Sequence, residues 1–159
     1  DLFVPADSLG ELKSRLAKYA PLCGEAAFEH ARILGTIPRF GQDITESNLA
    51  PEGGIEPRAI SYAKGCYIGQ EIIAHIRTYG KINRILRGLS LDGVAVEGDE
   101  IFSGDKKVGV LSSVTTEPNV ALAIIHRDAI GPSTSLRVNT KNGSVTAKVA
   151  TLPFERFPV

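Results

Sequence analysis

The stretch of sequence with the clearest chemical potential is residues 64–71, KGCYIGQE. It places the thiol of Cys66 just ahead of a predicted helix over residues 67–77. The positive end of the helix dipole and the ammonium group of Lys64 would both favour the thiolate form. The pattern therefore predicts a reactive cysteine. The alternative is a small thiol buried beneath a Pro- and Gly-rich loop, where free cysteines are common.

The same stretch begins a locally basic segment, although the whole chain is neutral. Between residues 64 and 87 there are five basic residues and one acidic residue, Glu71, a local net charge of +4. The basic residues are Lys64, Arg77, Lys81, Arg84 and Arg87. Such a segment could bind an anionic ligand or phosphates, or it could be a solvated helix face and hairpin rim. Only Tyr67 and Tyr79 could stack on bases there, so no direct nucleic-acid partner is expected.

Other chemistries lack a motif. The three histidines, His30, His75 and His126, do not stand at metal-ligand spacing with one another or with a cysteine, so no metal site is expected. No serine-hydrolase, P-loop or dinucleotide-binding motif is present. Carboxylates such as Glu46 and Glu52 have no fixed separation, and a structural role is expected for them.

The residues before this motif predict two helices and a long connection. A capping box at Ser8 and Glu11 and apolar residues at helical spacing predict a helix over about residues 9–19. A second helix is expected over residues 24–34, with Ala27, Ala31 and Leu34 on its apolar side. Residues 36–63 are rich in Pro and Gly and predict a long loop or linker. Its order would come from five apolar anchors, which are Ile37, Phe40, Ile44, Leu49 and Ile55.

After residue 83 the apolar residues follow a period of two, which predicts strands. Six short runs are separated by turn signals such as Asn142-Gly143. The runs are residues 86–91, 100–102, 108–114, 121–126, 136–139 and 145–152. They predict a small antiparallel barrel or sandwich. The fold class is therefore α+β, with a first domain over residues 1–82 and a C-terminal β-barrel domain over residues 83–159.

Composition bounds the remaining possibilities. The chain has 159 residues, 18 Lys plus Arg against 18 Asp plus Glu, and 43% hydrophobic residues, as in an ordinary globular protein. No apolar run is long enough to span a membrane. The two cysteines, Cys23 and Cys66, do not make a disulfide framework and are expected to be free in a reducing compartment. The absence of Met and the opening residues Asp1–Pro5 suggest a piece of a longer protein with an N-terminal portion missing.

The motif KGCYIGQE resembles the signature of the YgfZ-type folate-binding proteins, relatives of the glycine-cleavage T protein, an aminomethyltransferase. Residues 31–33, 37–44 and 51–54 resemble the family upstream of the signature. Residues 80–84 resemble its link into a C-terminal barrel, and residues 152–154 resemble the closing strand of that barrel. The resemblance covers essentially the whole chain, and the eight-residue signature is its specific part.

The resemblance implies a three-part protein that binds tetrahydrofolate in a central hole, of which this chain would be the later part of an α/β folate-binding portion plus the barrel. In the YgfZ-type branch the signature cysteine is the functional thiol. Cys66 would be that thiol and Lys64 its cationic neighbour. Folate binding would fall to five further residues, which are Tyr67, Gln70, Glu71, Arg77 and Arg84. The implied partners are folate and iron–sulfur enzymes or cluster-assembly proteins.

Two departures from the family pattern bear on the branch. T proteins typically have a Glu two residues after the position of Arg32, where it hydrogen-bonds the pterin, but this chain has Leu34. Leucine cannot accept a pterin N–H, which favours the YgfZ-type branch. Family members also commonly have Arg at the positions of His75 and Tyr79, so two fixed charges are absent here.

Three functional hypotheses follow from these residues. The first is a tetrahydrofolate-binding accessory protein that supports iron–sulfur cluster assembly or repair, and through it tRNA modification. The second is an aminomethyltransferase of the T-protein type, whose acidic catalytic residue would lie in the missing portion. The third makes the barrel a docking module. The expected location is the cytoplasm, with the mitochondrial matrix as the alternative.

Overall fold

The computed structural model describes residues 2–80, 82–117, 119–131 and 134–150. The chain divides into two compact units, residues 1–30 and residues 31–159. Among the described residues, no helix combines the length and the apolar character needed to cross a membrane.

The first unit holds a short 3-10 helix at Ala6–Ser8, helix α1 at Leu9–Leu16 and the beginning of helix α2 at Glu25–Leu34. Both predicted helices are present. The capping box is wrong, because the Ser8 hydroxyl contacts Asp7 and makes no bond to the backbone of the first helical turn. Helix α1 also ends three residues before Tyr19. Its predicted apolar stripe is largely exposed, and no residue of α1 is buried.

The predicted apolar side of α2 is wrong at two of its three residues; the third, Leu34, packs against the apolar cluster of Ile33, Leu86 and Leu122. Ala27 and Ala31 are exposed, whereas Arg32 and Ile33 are buried. Arg32 is only 4% exposed, because polar groups from elsewhere in its unit surround its guanidinium. Ile33 packs instead with Leu86 and Leu122 of the barrel.

The connection between α2 and the barrel is ordered, as expected, but its order does not come mainly from apolar anchors. Ile37, Phe40 and Leu49 are exposed. The chain forms successive turns, an isolated bridge between Phe40 and Ile44, helix α3 at Glu56–Ala59 and helix α4 at Gln70–Tyr79. Helix α4 begins at Gln70, three residues after the predicted start at residue 67.

The six predicted strands form a closed antiparallel barrel, which confirms the fold class. The strands are β1 Arg84–Leu91, β2 Glu100–Ser103, β3 Lys106–Thr116, β4 Asn119–His126, β5 Ser135–Thr140 and β6 Gly143–Ala150. Their order around the barrel is β1-β4-β3-β2-β5-β6. The last predicted strand was expected to reach residue 152, which lies outside the described residues. The domain boundary near residues 80–84 stays a prediction, although β1 begins at Arg84.

The barrel core consists of the inward members of the alternating strands. Its large, fully buried members are Leu89, Ile101, Leu111, Ile125, Leu136 and Val138. Where β3 pairs with β4, the two backbones approach closely at Gly109, which has no side chain. A Cβ at this position would lie 2.7 Å from the carbonyl oxygen of Ile124. The outer face of β1 and β4 carries a second apolar cluster that covers Leu86 and Leu122 with Ile33.

A bulge in β3 joins the connection to the barrel. The register between β3 and β4 shifts between Leu111 and Ser113, so that Ser112 is an extra residue. Consecutive strand residues normally point to opposite faces. The bulge instead lets both the Ser112 and Ser113 hydroxyls donate to Oδ1 of Asp43, at 2.5 and 2.6 Å.

Asp43 also accepts from Arg32, whose Nη1 lies 2.7 Å from Oδ2, and from the backbone N–H of Arg39 at 2.8 Å. Nη2 of Arg32 donates to Ser113 Oγ at 2.8 Å. A buried ion pair with this many hydrogen bonds satisfies the charged groups that burial removes from water. The network fixes the connection on the outside of the barrel.

Candidate functional site

The beginning of helix α4 is held by a local turn in the predicted motif. Gly69 precedes the helix with a φ of +87°, a left-handed conformation that glycine adopts without strain. The backbone N–H of Tyr67 donates to Oε1 of Gln70 at 3.2 Å, and the N–H of Gln70 donates to the Tyr67 carbonyl at 3.3 Å. These reciprocal bonds fix the positions of Tyr67 and Gln70 before any ligand binds.

Four of the predicted site residues line one cleft of about 190 Å³. They are Lys64, Tyr67, Gln70 and Glu71. The ammonium nitrogen of Lys64 lies 4.5 Å from the centroid of the Tyr67 ring, a cation–π contact. The cleft therefore combines a cation, an aromatic face, an amide and a carboxylate within one turn of helix and the loop before it.

Sequence reasoning missed three lining residues, Ser61, Tyr62 and Ala74. Ala74 follows Gln70 by four residues, so the helical period could have identified it. Ser61 and Tyr62 lie in the preceding connection, which has no periodicity that would place them in the cleft.

Tyr62 connects the cleft to Arg77, another predicted site residue. The guanidinium carbon of Arg77 lies 3.9 Å from the centroid of the Tyr62 ring. The Tyr62 hydroxyl donates to Oε1 of Glu56 at 2.6 Å. This hydrogen bond is the main reason that the pKa of Tyr62 is raised above 10.0; partial desolvation and the Glu56 charge act in the same direction, and Arg77 opposes them.

Cys66 is exposed and free, so its alternative interpretation as a buried packing residue is wrong. The thiol is not among the groups that line the cleft, although its sequence neighbours are. It also lies four residues before Gln70, the first residue of α4. The helix dipole falls off within a turn, so its influence on this thiol is smaller than the sequence predicts. Cys23 is also exposed and free, as expected.

Arg84 is not brought to the cleft. Its Nε lies 3.6 Å from Oε1 of Glu52, and it lines a different surface cleft together with Lys107 and His126. Lys81 lies outside the described residues. The positions where the family commonly has arginine hold a ring pair instead, His75 and Tyr79, with centroids 5.6 Å apart.

Among the described residues, no group of three or more His, Cys, Asp or Glu side chains is arranged to hold a metal ion.

Residues 84–155 match the sequence profile of the glycine cleavage T-protein C-terminal barrel domain. The chain is similar to proteins of the glycine-cleavage T-protein family. An aminomethyltransferase of Bacillus pumilus is 27% identical over 137 residues, which are 83% of this chain and 38% of the relative. The Arabidopsis thaliana protein At1g60990, a chloroplastic protein named as a transferase, is 30% identical over 161 residues, which are 99% of this chain and 37% of the relative.

The fold has a solved counterpart. The aminomethyltransferase T of the glycine cleavage system from Bartonella henselae superimposes with a TM-score of 0.81 over 95% of this chain and 45% of that structure, at 18% identity. At that identity the superposition establishes the fold alone. The chain spans less than half the length of these relatives.

Proposed function

We propose that the chain belongs to a tetrahydrofolate-binding accessory protein that supports assembly or repair of iron–sulfur enzymes, and through them tRNA modification, with Cys66 as its functional thiol. The observation that carries this proposal is an exposed, free cysteine within the segment that forms the polar cleft. Thiols that react with substrates are accessible and lie near cations, and Lys64 is two residues from Cys66.

The cleft suits part of a folate molecule. The Gln70 amide and the Glu71 carboxylate could form hydrogen bonds with the polar edge of a pterin. Tyr67 offers its ring edge, because Lys64 already lies over one face of the ring. When bound, tetrahydrofolate would supply a carrier for a one-carbon unit. At about 190 Å³ the cleft is smaller than the roughly 300–1,000 Å³ of pockets that enclose a drug-sized ligand. The remainder of the ligand therefore needs further surface.

Calorimetric titration of the chain with tetrahydrofolate tests the binding. We expect Gln70→Ala and Glu71→Gln each to weaken binding about tenfold or more, because each removes a hydrogen bond to the ligand, charged in the second case. Arg137→Gln is the matched surface control, since that guanidinium stacks on Phe102 of the barrel, and it should leave the affinity unchanged. Equal affinities for all four proteins would exclude the cleft as a folate site.

A second candidate function is aminomethyl transfer, favoured by the similarity to aminomethyltransferases. The Leu34 position counts against it, because leucine offers no acceptor for a pterin N–H. Incubation of the full-length protein with tetrahydrofolate and an aminomethyl-carrying lipoyl partner would decide between the two functions. Formation of methylene-tetrahydrofolate would favour the transferase over the accessory role.

The accessory role also implies partners, a location and a division of the chain. Its partners would be iron–sulfur enzymes or cluster-assembly proteins, without direct binding to nucleic acid, and a cytoplasmic or mitochondrial-matrix location would suit a free thiol. We also propose a functional division into a folate-binding portion over residues 1–82 and a barrel domain over residues 83–159.

A further inference from the structure

A further cleft within residues 31–159 is lined by two arginines and by no acidic residue among those that the structure describes. It has a volume of about 330 Å³ and shares no lining residue with the cleft around Lys64. Among the described residues that line it, the only charged side chains are the guanidinium groups of Arg58 and Arg87. The rest of the lining consists of Gly35, Thr36, Gly53, Gly54, Pro57 and Leu86.

Neither arginine has an anionic partner in the part of the chain that the structure describes. No carboxylate of a described residue lies within ion-pair distance of Arg58, Arg87 or the neighbouring Arg127. The acids closest in sequence to Arg58 are already engaged. Glu52 pairs with Arg84 at 3.6 Å, and Glu56 accepts the hydroxyl of Tyr62 at 2.6 Å.

Because Arg87 is half-buried, its lack of an anionic partner among the described residues is costly. Arg87 lies on the same face of β1 as Leu89 and Leu91, both members of the barrel core, and it is half-buried. Its Nη1 donates to the Leu86 carbonyl at 3.0 Å, which uses one of its five N–H groups. Burial, and then repulsion by Arg127, lower the pKa of Arg87. A bound anion would oppose both effects.

The backbone of the wall offers no spare donors. The N–H groups of Gly35, Thr36 and Gly54 already donate to carbonyl oxygens at 2.9, 3.0 and 3.2 Å. Recognition must therefore come from side chains. Besides the two arginines, Thr36 has a buried hydroxyl without a hydrogen-bond partner and a φ of +55°, a strained conformation for a β-branched residue.

We propose that this cleft binds a phosphate group, held by the guanidinium groups of Arg58 and Arg87. Guanidinium forks match the geometry of oxyanions, and a phosphate offers enough oxygens for two forks at once. A dianion also balances two unpaired positive charges better than a single carboxylate does. The phosphate could be a free ion or part of a small phosphate ester, since the volume is at the lower end of ligand pockets.

Calorimetry of the full chain at constant ionic strength tests the proposal, with inorganic phosphate and glycerol 3-phosphate as probes. Saturable binding of either probe is expected, and it should weaken about tenfold or more in Arg58→Gln and in Arg87→Gln. Arg87→Lys should recover only part of the affinity, because lysine retains the charge without the fork. Arg137→Gln should bind as the unaltered chain does. A higher affinity for glycerol 3-phosphate would identify an organic phosphate as the ligand, and equal or lower affinity would identify the free ion.

Three results would overturn it: no saturable binding of either probe, acetate binding as tightly as phosphate, or an equal loss in Arg137→Gln. Arg58 is exposed, so Arg58→Gln keeps the test valid if Arg87→Gln does not fold. Affinity for inorganic phosphate should also rise with pH as the monoanion becomes the dianion, because the dianion carries the larger negative charge. This test does not depend on the folate proposal, since no residue is shared.

Discussion

At the scale of single residues, a buried ion pair fixes the connection between α2 and the barrel. Asp43 receives four donors, from Arg32, the Arg39 backbone, Ser112 and Ser113. The apolar side predicted for α2 from the sequence did not include Arg32. Its burial depends on Asp43, 11 residues away, and on Ser113, 81 residues away, and no local pattern reveals such partners.

Asp43→Asn should therefore be strongly destabilising. The substitution leaves the buried guanidinium of Arg32 without its counter-charge, and breaking such a pair costs about 3–5 kcal/mol. Urea unfolding followed by circular dichroism measures the change. Glu97→Gln, which alters an exposed hydrogen bond to Gln42, is the control and should change the free energy of unfolding by less than about 1 kcal/mol. A similarly small effect of Asp43→Asn would show that the network does not stabilise the fold.

The Tyr62 hydroxyl provides a second test at this scale. Glu56→Gln should lower the pKa of Tyr62 towards 10.0, because it removes the carboxylate acceptor and its charge. Arg77→Gln should raise it further, since Arg77 favours the phenolate. Carbon-detected NMR titration of the tyrosine rings would resolve the two shifts. Shifts of the same sign in both variants would contradict the observed geometry.

The pKa of Tyr62 also sets the direction of a pH effect. Because the folded-state pKa is raised, the contribution of this hydrogen bond to stability is fully present below the unfolded value of 10.0. It is lost as the pH rises through the raised value. Glu56→Gln should therefore lower the stability at neutral pH, where the contribution is present, and reduce the further loss of stability above pH 10.0.

At the scale of elements, strands were easier to predict than helix faces. The apolar or alternating runs identified all six strands, because successive side chains along a strand point to opposite faces. The bulge at Ser112 was not predictable, because an extra residue in one strand shows only against the register of its partner. Helix α4 was predicted from its isoleucines, but its first residue depends on the left-handed turn at Gly69.

Close packing of β3 on β4 makes Gly109 a sensitive position. Gly109→Ala should destabilise the barrel by about 1–3 kcal/mol, because the new Cβ would lie 2.7 Å from a backbone oxygen that cannot move freely. Val110→Ala, at the next and partly exposed position, should cost less than about 1 kcal/mol. Thermal unfolding of the two variants gives the comparison. Equal losses would mean that the strands can separate to accept a side chain.

At the scale of the whole molecule, the antiparallel barrel was predictable but its strand order was not. Pairing of β1 with β4 and of β2 with β5 joins runs that are far apart in sequence. The candidate site shows the same limit. Lys64, Tyr67, Gln70 and Glu71 converge because one turn and one helix position them, whereas Arg84 pairs with Glu52 and lines another cleft.

The central claim is that Cys66 is the functional thiol of an accessory protein for iron–sulfur enzymes. The most direct measurement is iron–sulfur enzyme activity in cells that depend on the full-length protein, with Cys66→Ser compared with Cys23→Ser. Both thiols are exposed and free, so the two variants change surface chemistry equally. The account predicts a loss of enzyme activity for Cys66→Ser and normal activity for Cys23→Ser. Normal activity in both, with both proteins present at wild-type levels, would contradict it.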